Sequence, residues 1–316
     1  MRVMVLGGAG YKGTVLVPLL LNHGHVVTVV DNLWFGNKLQ PHENLVVHKS
    51  DIREWDGYQG QDAVIHLANI ANDPCGELDA KLTWEVNALE TVFLCEKLIK
   101  ARIPRLIFAS SASVYGIKEN KPVDENTEMT PVSDYNKTKM VAERVLQSYQ
   151  GALNIQIVRP ATICGYSPRM RLDVVVNALT ILALTKGYIE VQTPDLWRPH
   201  CHIKDVARVY QWLLDNPNNR GPYNCGFTNQ TILQTAQIIA KEVGCEVRIA
   251  QHVPDKYDKR SYLVDSNLIL GLGFKPLYTI TDAVKDIVTA YRDGRLKDED
   301  SCYNLRHMRN QGLLRV

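Results

Sequence analysis

Short, almost unbroken apolar runs punctuate the first half of the chain: "RVMVLGG", "VVTVVD", "NLVVHKSD", "DAVIHLA", "RLIFASS" and "IQIVRP". They are rich in valine and isoleucine and lack the alternation of a strand with one wet face. All six therefore predict strands buried on both sides of a parallel sheet. Between them lie segments of helical period, Thr14 to Asn22 after the first run and "LTWEVNALETVFLCEKLIKAR" before the fifth. Such alternation implies right-handed crossovers and a doubly wound α/β sheet. After about residue 165 the rhythm breaks into loops, helices and shorter strands, which predicts a smaller, interleaved α/β lobe. Residues 1–165, with a return segment around 203–225, are expected to form the sheet domain, and 166–202 with 226–316 the second lobe.

Ligands of an open parallel sheet lie outside the carboxyl ends of its strands. After the first run stands "GGAGYKG", in which Gly7, Gly10 and Gly13 are three apart and Gly8, Gly10 and Gly13 also fit G-x-G-x-x-G. Glycines there let the turn close and the backbone approach a pyrophosphate at the following helix N-terminus. The second run ends in Asp31, an acid placed to accept hydrogen bonds from adenosine ribose hydroxyls and to repel a 2′-phosphate. NAD is therefore the expected cofactor. Asp51 and Ile52 after the third run fall beside the adenine, and Ala68 after the fourth against the cofactor.

At the other end of the expected cleft, "ASSASVYG" after the fifth run offers Ser110, Ser111 and Ser113. Tyr135 and Lys139 in "SDYNKTKMVAERVL" are four apart and share one helical face. A phenol with a pKa near 10 is a poor base at neutral pH. Bringing it to about 7 takes roughly 4 kcal/mol, which the Lys139 ammonium and a positive nicotinamide ring are placed to supply.

Together, "GGAGYKG", Asp31, "SSASVYG" and "YNKTK" resemble the extended short-chain dehydrogenase/reductase family in its nucleotide-sugar epimerase/dehydratase branch, over essentially the whole chain. The resemblance implies a Rossmann-type domain in which Gly7, Gly10, Tyr11, Gly13, Asp31 and the "DNLWFGN" loop from Asn32 bind NAD. It implies that Tyr135 takes a proton from a sugar hydroxyl as hydride passes to NAD. Lys139 would hold the nicotinamide ribose and tune the tyrosine, Ser111 would bond the hydroxyl being oxidised, usually at C4, and Ser113 would assist. Asn87 in "WEVNALET" maps to an active-site asparagine, and its helix to a homodimer surface built as a four-helix bundle, with higher oligomers also open. For a nucleotide-diphosphate sugar the resemblance points to Thr162, Asn177, Arg169, Arg171 and Arg198 as contacts, and to Asp205 as a structural aspartate. The late substrate motif has Asp255 where an arginine is expected, with Lys256 or Arg260 as substitutes. Lys12 replaces an apolar residue of the glycine loop and Glu90 a glycine, neither expected to touch the chemistry.

Dehydratases of this branch carry Asp and Glu after the reactive hydroxyl, where this chain has Ala112 and Ser113. C4 oxidation of a hexose or heptose, GDP-linked sugars included, is therefore expected, with the ketone either released or re-reduced as the epimer. The 4,6-dehydratase and a non-enzymatic NAD sensor on the same fold stand as alternatives.

The bulk properties narrow the field. A net charge of +2 with no stripe of lysine and arginine over 316 residues argues against nucleic acid. "VVVNALTILAL" is too short to span a membrane. Seven scattered cysteines without a Cys-x-x-Cys pair suggest a reduced, cytoplasmic protein with neither a disulfide framework nor a metal site.

Overall fold

The structure is a computed structural model that describes residues 1–118, 121–251 and 260–313. Its central sheet contains β1 (Arg2–Leu6), β2 (Val26–Asp31), β3 (Leu45–Lys49), β4 (Ala63–His66), β5 (Arg105–Ala109), β6 (Asn154–Pro160) and β7 (Gly221–Cys225). The order is β7-β6-β5-β4-β1-β2-β3 and every pairing is parallel. The chain thus winds outward from β1 in both directions, and the crevice between β1 and β4 is the switch point where such sheets bind ligands.

The six expected strands are all present. The seventh was not read as a strand because "GPYNC" breaks the apolar pattern with glycine and proline. Its edge position explains this, since Pro222 opposite Ile157 need not donate into a further strand.

The longer helices are α1 (Gly13–Asn22), α2 (Glu90–Lys100), α3 (Asp134–Ser148), α4 (Val175–Lys186), α5 (Ile203–Asp215), α6 (Ile232–Val243) and α7 (Ile280–Arg292). The unbroken apolar runs follow from cover on both faces. Val3 and Val5 of β1 pack with Leu16, Val17 and Leu20 of α1 and Val206, Val209 and Leu213 of α5. Met4 and Leu6 point the opposite way, towards Leu94 and Leu98 of α2 and Ala142 and Leu146 of α3. Beyond the sheet, α4, α6 and α7 form a separate core around the strand Tyr188–Val191.

The segment before β5, expected as one helix, is interrupted. An α-helical turn at Ala80–Trp84 passes through a π-helical turn at Glu85–Leu89 into α2. A wide turn of this kind re-aims side chains and recurs at functional sites. Here it holds buried Asn87.

Candidate active site

One cavity of about 470 Å³ follows the carboxyl edge of the sheet and receives residues from nearly every loop there. At one end lies the glycine loop. Gly7 has φ +78°, and a Cβ built on it would lie 2.5 Å from the backbone nitrogen of Ala68, so loop and β4 edge approach as only glycine permits. A Cβ on Gly13 would lie 2.3 Å from the Gly8 carbonyl oxygen. This side-chain-free cradle at the start of α1 fits a dinucleotide pyrophosphate.

Gly7, Gly10, Tyr11, Gly13, Asp31, Asn32, Asp51, Ile52 and Ala68 all line the cavity. Asp31 accepts hydrogen bonds from the backbone N–H of Ala9 (3.0 Å) and Leu33 (2.8 Å), tying the end of β2 to the glycine loop. Burial raises its carboxyl pKa while those N–H groups oppose the rise. Asp51 is already held by Arg53, whose guanidinium meets it at 2.8 and 3.1 Å. Tyr11 donates its hydroxyl proton to the Gly165 carbonyl (2.8 Å) and accepts from Asn177 (3.0 Å), so the phenol fastens the loop to the segment after β6 and to α4.

Sequence reasoning missed the outer wall here. Trp34 and Phe35 line the cavity. His307 of the late helix Asn304–Asn310 donates to the Trp34 carbonyl (2.8 Å) and stacks on Phe35 (4.9 Å). Arg169 stands 3.8 Å over the Phe35 ring, donates to Asn304 (2.6 Å) and feels the charge of Asp31. Expected as a substrate-phosphate contact, Arg169 lines the cavity with its partners at the cofactor end. Lys12 also lines the cavity, with its pKa pulled down to about 8 by burial and Arg171.

At the reaction end, Ser133 caps α3 by accepting the Asn136 N–H (3.2 Å), which presents Tyr135 in the first turn. Ser111 and Ser113 share a 2.8 Å hydroxyl contact, and Ser110, Ser111, Ser113 and Tyr135 all face the cavity. Lys139 does not. Its ammonium donates to the Ala109 carbonyl (2.9 Å), stands 4.9 Å over the Phe108 ring and is 2% exposed. Burial drives its pKa far down, aided by Lys12 and opposed by Glu143.

The ammonium expected to acidify the phenol thus donates to the β5 carbonyl. Burial and then the charge of Asp73 push Tyr135 up to about 12, and the opposing influences are Arg171, the Ser111 hydroxyl and Arg260. Behind this end, Arg159 binds Glu143 (2.6 Å) and the Tyr115 hydroxyl (2.7 Å), while Ser110 donates to Glu143 at very short range.

At the substrate end, Thr162, Arg171, Arg198 and Arg260 line the cavity, as do Asn72, Asp73, Asp173 and Tyr262, which were not anticipated. Arg171 forks onto Asp173 (2.8 and 3.1 Å), and Arg260 meets Asp73 (2.9 Å). Arg198 donates to the Trp197 carbonyl (3.1 Å).

Two expected contacts turn inward instead. Asn87 clamps both backbone groups of Ile70 (2.8 and 3.0 Å), and Asn177 holds Gly165 N–H (3.0 Å), the Arg171 carbonyl (2.8 Å) and the Tyr11 hydroxyl (3.0 Å). Their amides are consumed in fixing loops that carry the lining residues, and both are buried. Asp205 is structural as expected, accepting the N–H groups of Leu277 and Tyr278. Lys256 lies outside the described residues. The signal available for Asp73 was its place in the loop after β4, although "NDPC" starts at Asn72, past His66, and does not follow its strand directly as the serines follow β5.

Residues 3–226 match the model of the NAD dependent epimerase/dehydratase family. A putative UDP-glucose 4-epimerase of Methanocaldococcus jannaschii is 26% identical over 301 residues, covering 90% of this chain and 97% of that one. UDP-glucuronic acid decarboxylase 1 of Xenopus tropicalis is 27% identical over 307 residues, covering 92% of this chain and 72% of the relative. The UDP-glucose 4-epimerase of Thermus thermophilus, solved with NAD, superposes with a TM-score of 0.82 at 25% identity, covering 92% of this chain and 99% of that one.

Proposed function

Since the chain belongs to the NAD-dependent epimerase/dehydratase family, we propose that it oxidises C4 of a nucleotide-diphosphate hexose or heptose, releasing the 4-keto sugar or reducing it again as the epimer. One observation carries this reading: Tyr135 and Ser111 face the same cavity as the glycine cradle and Asp31. Bound NAD supplies a hydride acceptor and, when oxidised, a positive charge.

The chain's own groups do the rest. Ser111 orients the sugar hydroxyl, and Tyr135 receives its proton. In the protein alone the phenol is held in its acid form by burial and Asp73, so Arg171, Arg260 and the oxidised cofactor must supply the pull that makes it a base. Lys139 braces the β5 edge at Ala109 in this conformation. Arg171 and Arg198 are assigned to the diphosphate.

The chain carries Ala112 and Ser113 where elimination would need carboxylates, which favours oxidation over 4,6-dehydration. The named relatives act on a neutral and an acidic sugar, so similarity alone leaves the sugar open.

In this reading residues 1–165 and the return segment hold NAD, and the second lobe holds the nucleotide sugar. A second copy is assigned to the face where Leu89 and Phe93, four apart, are 53% and 58% exposed. Among the described residues no helix is long and apolar enough to cross a membrane.

The test is Tyr135→Phe, assayed on GDP-, UDP- and dTDP-sugars by proton NMR, which registers a ketone or an epimer. Turnover is expected to fall by about 10²–10⁴-fold, the range for a positioned acid–base group, with NAD binding unchanged. Undiminished turnover sinks the reading.

A further inference from the structure

The short turn Asp73–Gly76 after β4 is built on backbone strain. Asn72 has φ 74° and ψ 162°, a region occupied almost solely by glycine. The conformation is held by the Asn72 side chain, which accepts the Cys75 N–H (3.0 Å) and donates to Asp173 (3.1 Å). Its result is to turn Asp73 into the cavity beside the base of α3: a Cβ built on Gly76 would lie 3.4 Å from the Tyr135 Cβ. The Asp73 carboxylate accepts from the Ser133 hydroxyl on one oxygen and from Arg260 on the other, with the side chain 24% exposed.

Each carboxylate oxygen has two lone-pair sites, so Asp73 retains acceptor capacity towards the cavity and offers no proton. A ligand group meeting it must donate. The substrate end, which adjoins Tyr135 here, carries two ion pairs, Arg171 with Asp173 and Arg260 with Asp73, beside Arg198. A hydroxyl can join such an arrangement, whereas a carboxylate would face Asp73 at short range in a poorly solvated site.

We propose that Asp73 is a specificity-determining residue: it accepts a hydrogen bond from a sugar hydroxyl neighbouring the one Tyr135 deprotonates, and thereby selects neutral sugars over uronic acids. This rests on the reading of the cavity as a nucleotide-sugar oxidiser. The strain at Asn72 is the means by which the fold aims the carboxylate.

The experiment compares kcat/KM by proton NMR on two matched pairs, UDP-glucose with UDP-glucuronate and GDP-mannose with GDP-mannuronate. Wild type is expected to prefer the neutral member of a pair. Asp73→Asn should lower kcat/KM for the neutral sugar about ten- to hundredfold, the range for a hydrogen bond to a charged group, and narrow the preference. Arg260→Gln should widen the preference, because the Asp73 charge is then uncompensated. Asp73→Glu, which keeps the charge but displaces it, and Arg260→Gln read the same ratio should Asp73→Asn fail to fold.

An unchanged ratio in these variants means a scaffold role and overturns the proposal. So does a wild-type preference for the uronate, or a product lighter by one water, which would assign Asp73 to elimination. A wild type that turns over none of the four sugars, with Tyr135→Phe equally inert, overturns the functional reading and the proposal with it.

Discussion

The cavity's two ends are built on different principles. The cofactor end is backbone against backbone: Gly7 against Ala68, Gly13 against Gly8, and Asp31 bonded to main-chain N–H groups. Its glycines lie close together in sequence and depend on the absence of side chains. The substrate end is a set of charge pairs: Arg171–Asp173 lies within one loop, while Arg260 and Asp73 come from separate loops and meet only in the fold. Steric constraints tolerate almost no substitution, while paired charges can be re-set one residue at a time. A fold of this type can therefore keep one cofactor while changing sugars.

The largest effect that sharpens this contrast is expected for Gly7→Ala. Left-handed strain and overlap with Ala68 should together weaken NAD binding by about 3 kcal/mol, more than a hundredfold, in an NAD titration. Equal NAD affinity in the variant would break the comparison at its rigid end.

Next, Asp173→Ala should act on the sugar end alone. It leaves Arg171 unpaired in a mostly buried setting, and we expect sugar-nucleotide affinity and stability to change by about 1–3 kcal/mol while NAD affinity holds. A parallel loss of NAD binding would show that the ends are not separable.

Acid should act through one buried histidine on each side. Burial depresses both His66 in β4 and His200 in the strand Trp197–His202 to about 3. Their folded values lie below the ordinary histidine value, so the unfolded chain binds more protons. Stability is therefore complete above about pH 6.5 and falls with acidification by up to about 1.4 kcal/mol per pH unit for each histidine. Urea denaturation at stepped pH should show this slope, and His66→Asn should remove about half of it.

The smallest effect is expected at the cofactor rim. Arg53→Ala breaks an exposed pair with Asp51 and should shift stability by no more than about 0.5 kcal/mol in the same assay. A larger loss would mean that charge also matters at the steric end.

This contrast also explains what the sequence disclosed. Strands covered on both faces leave an unmistakable apolar run, and a glycine loop between strand and helix is a local signature, so the sheet and the cofactor end were legible. Tyr135 and Ser111 were legible because each follows a cap or a strand end in a fixed register. Asn87 and Asn177 were recognised as special but assigned outward, since a one-dimensional pattern does not say which way an amide turns. For Lys139 the four-residue spacing from Tyr135 holds, while its ammonium satisfies the β5 carbonyl, a partner that the spacing does not disclose. Asp73 and Asn304 escaped because their partners lie 187 and 135 positions away, whereas Asp173, two positions from Arg171, could have been suspected without coordinates.

The Trp34–Phe35 wall has a temporal consequence. Its anchors, His307 and the Arg169–Asn304 bond, come from the far end of the numbering. A chain still emerging from the ribosome carries the whole phosphate cradle and the two aromatic residues long before it carries their anchors. The aromatic wall is therefore braced only once a helix 273 positions away in sequence has docked against it.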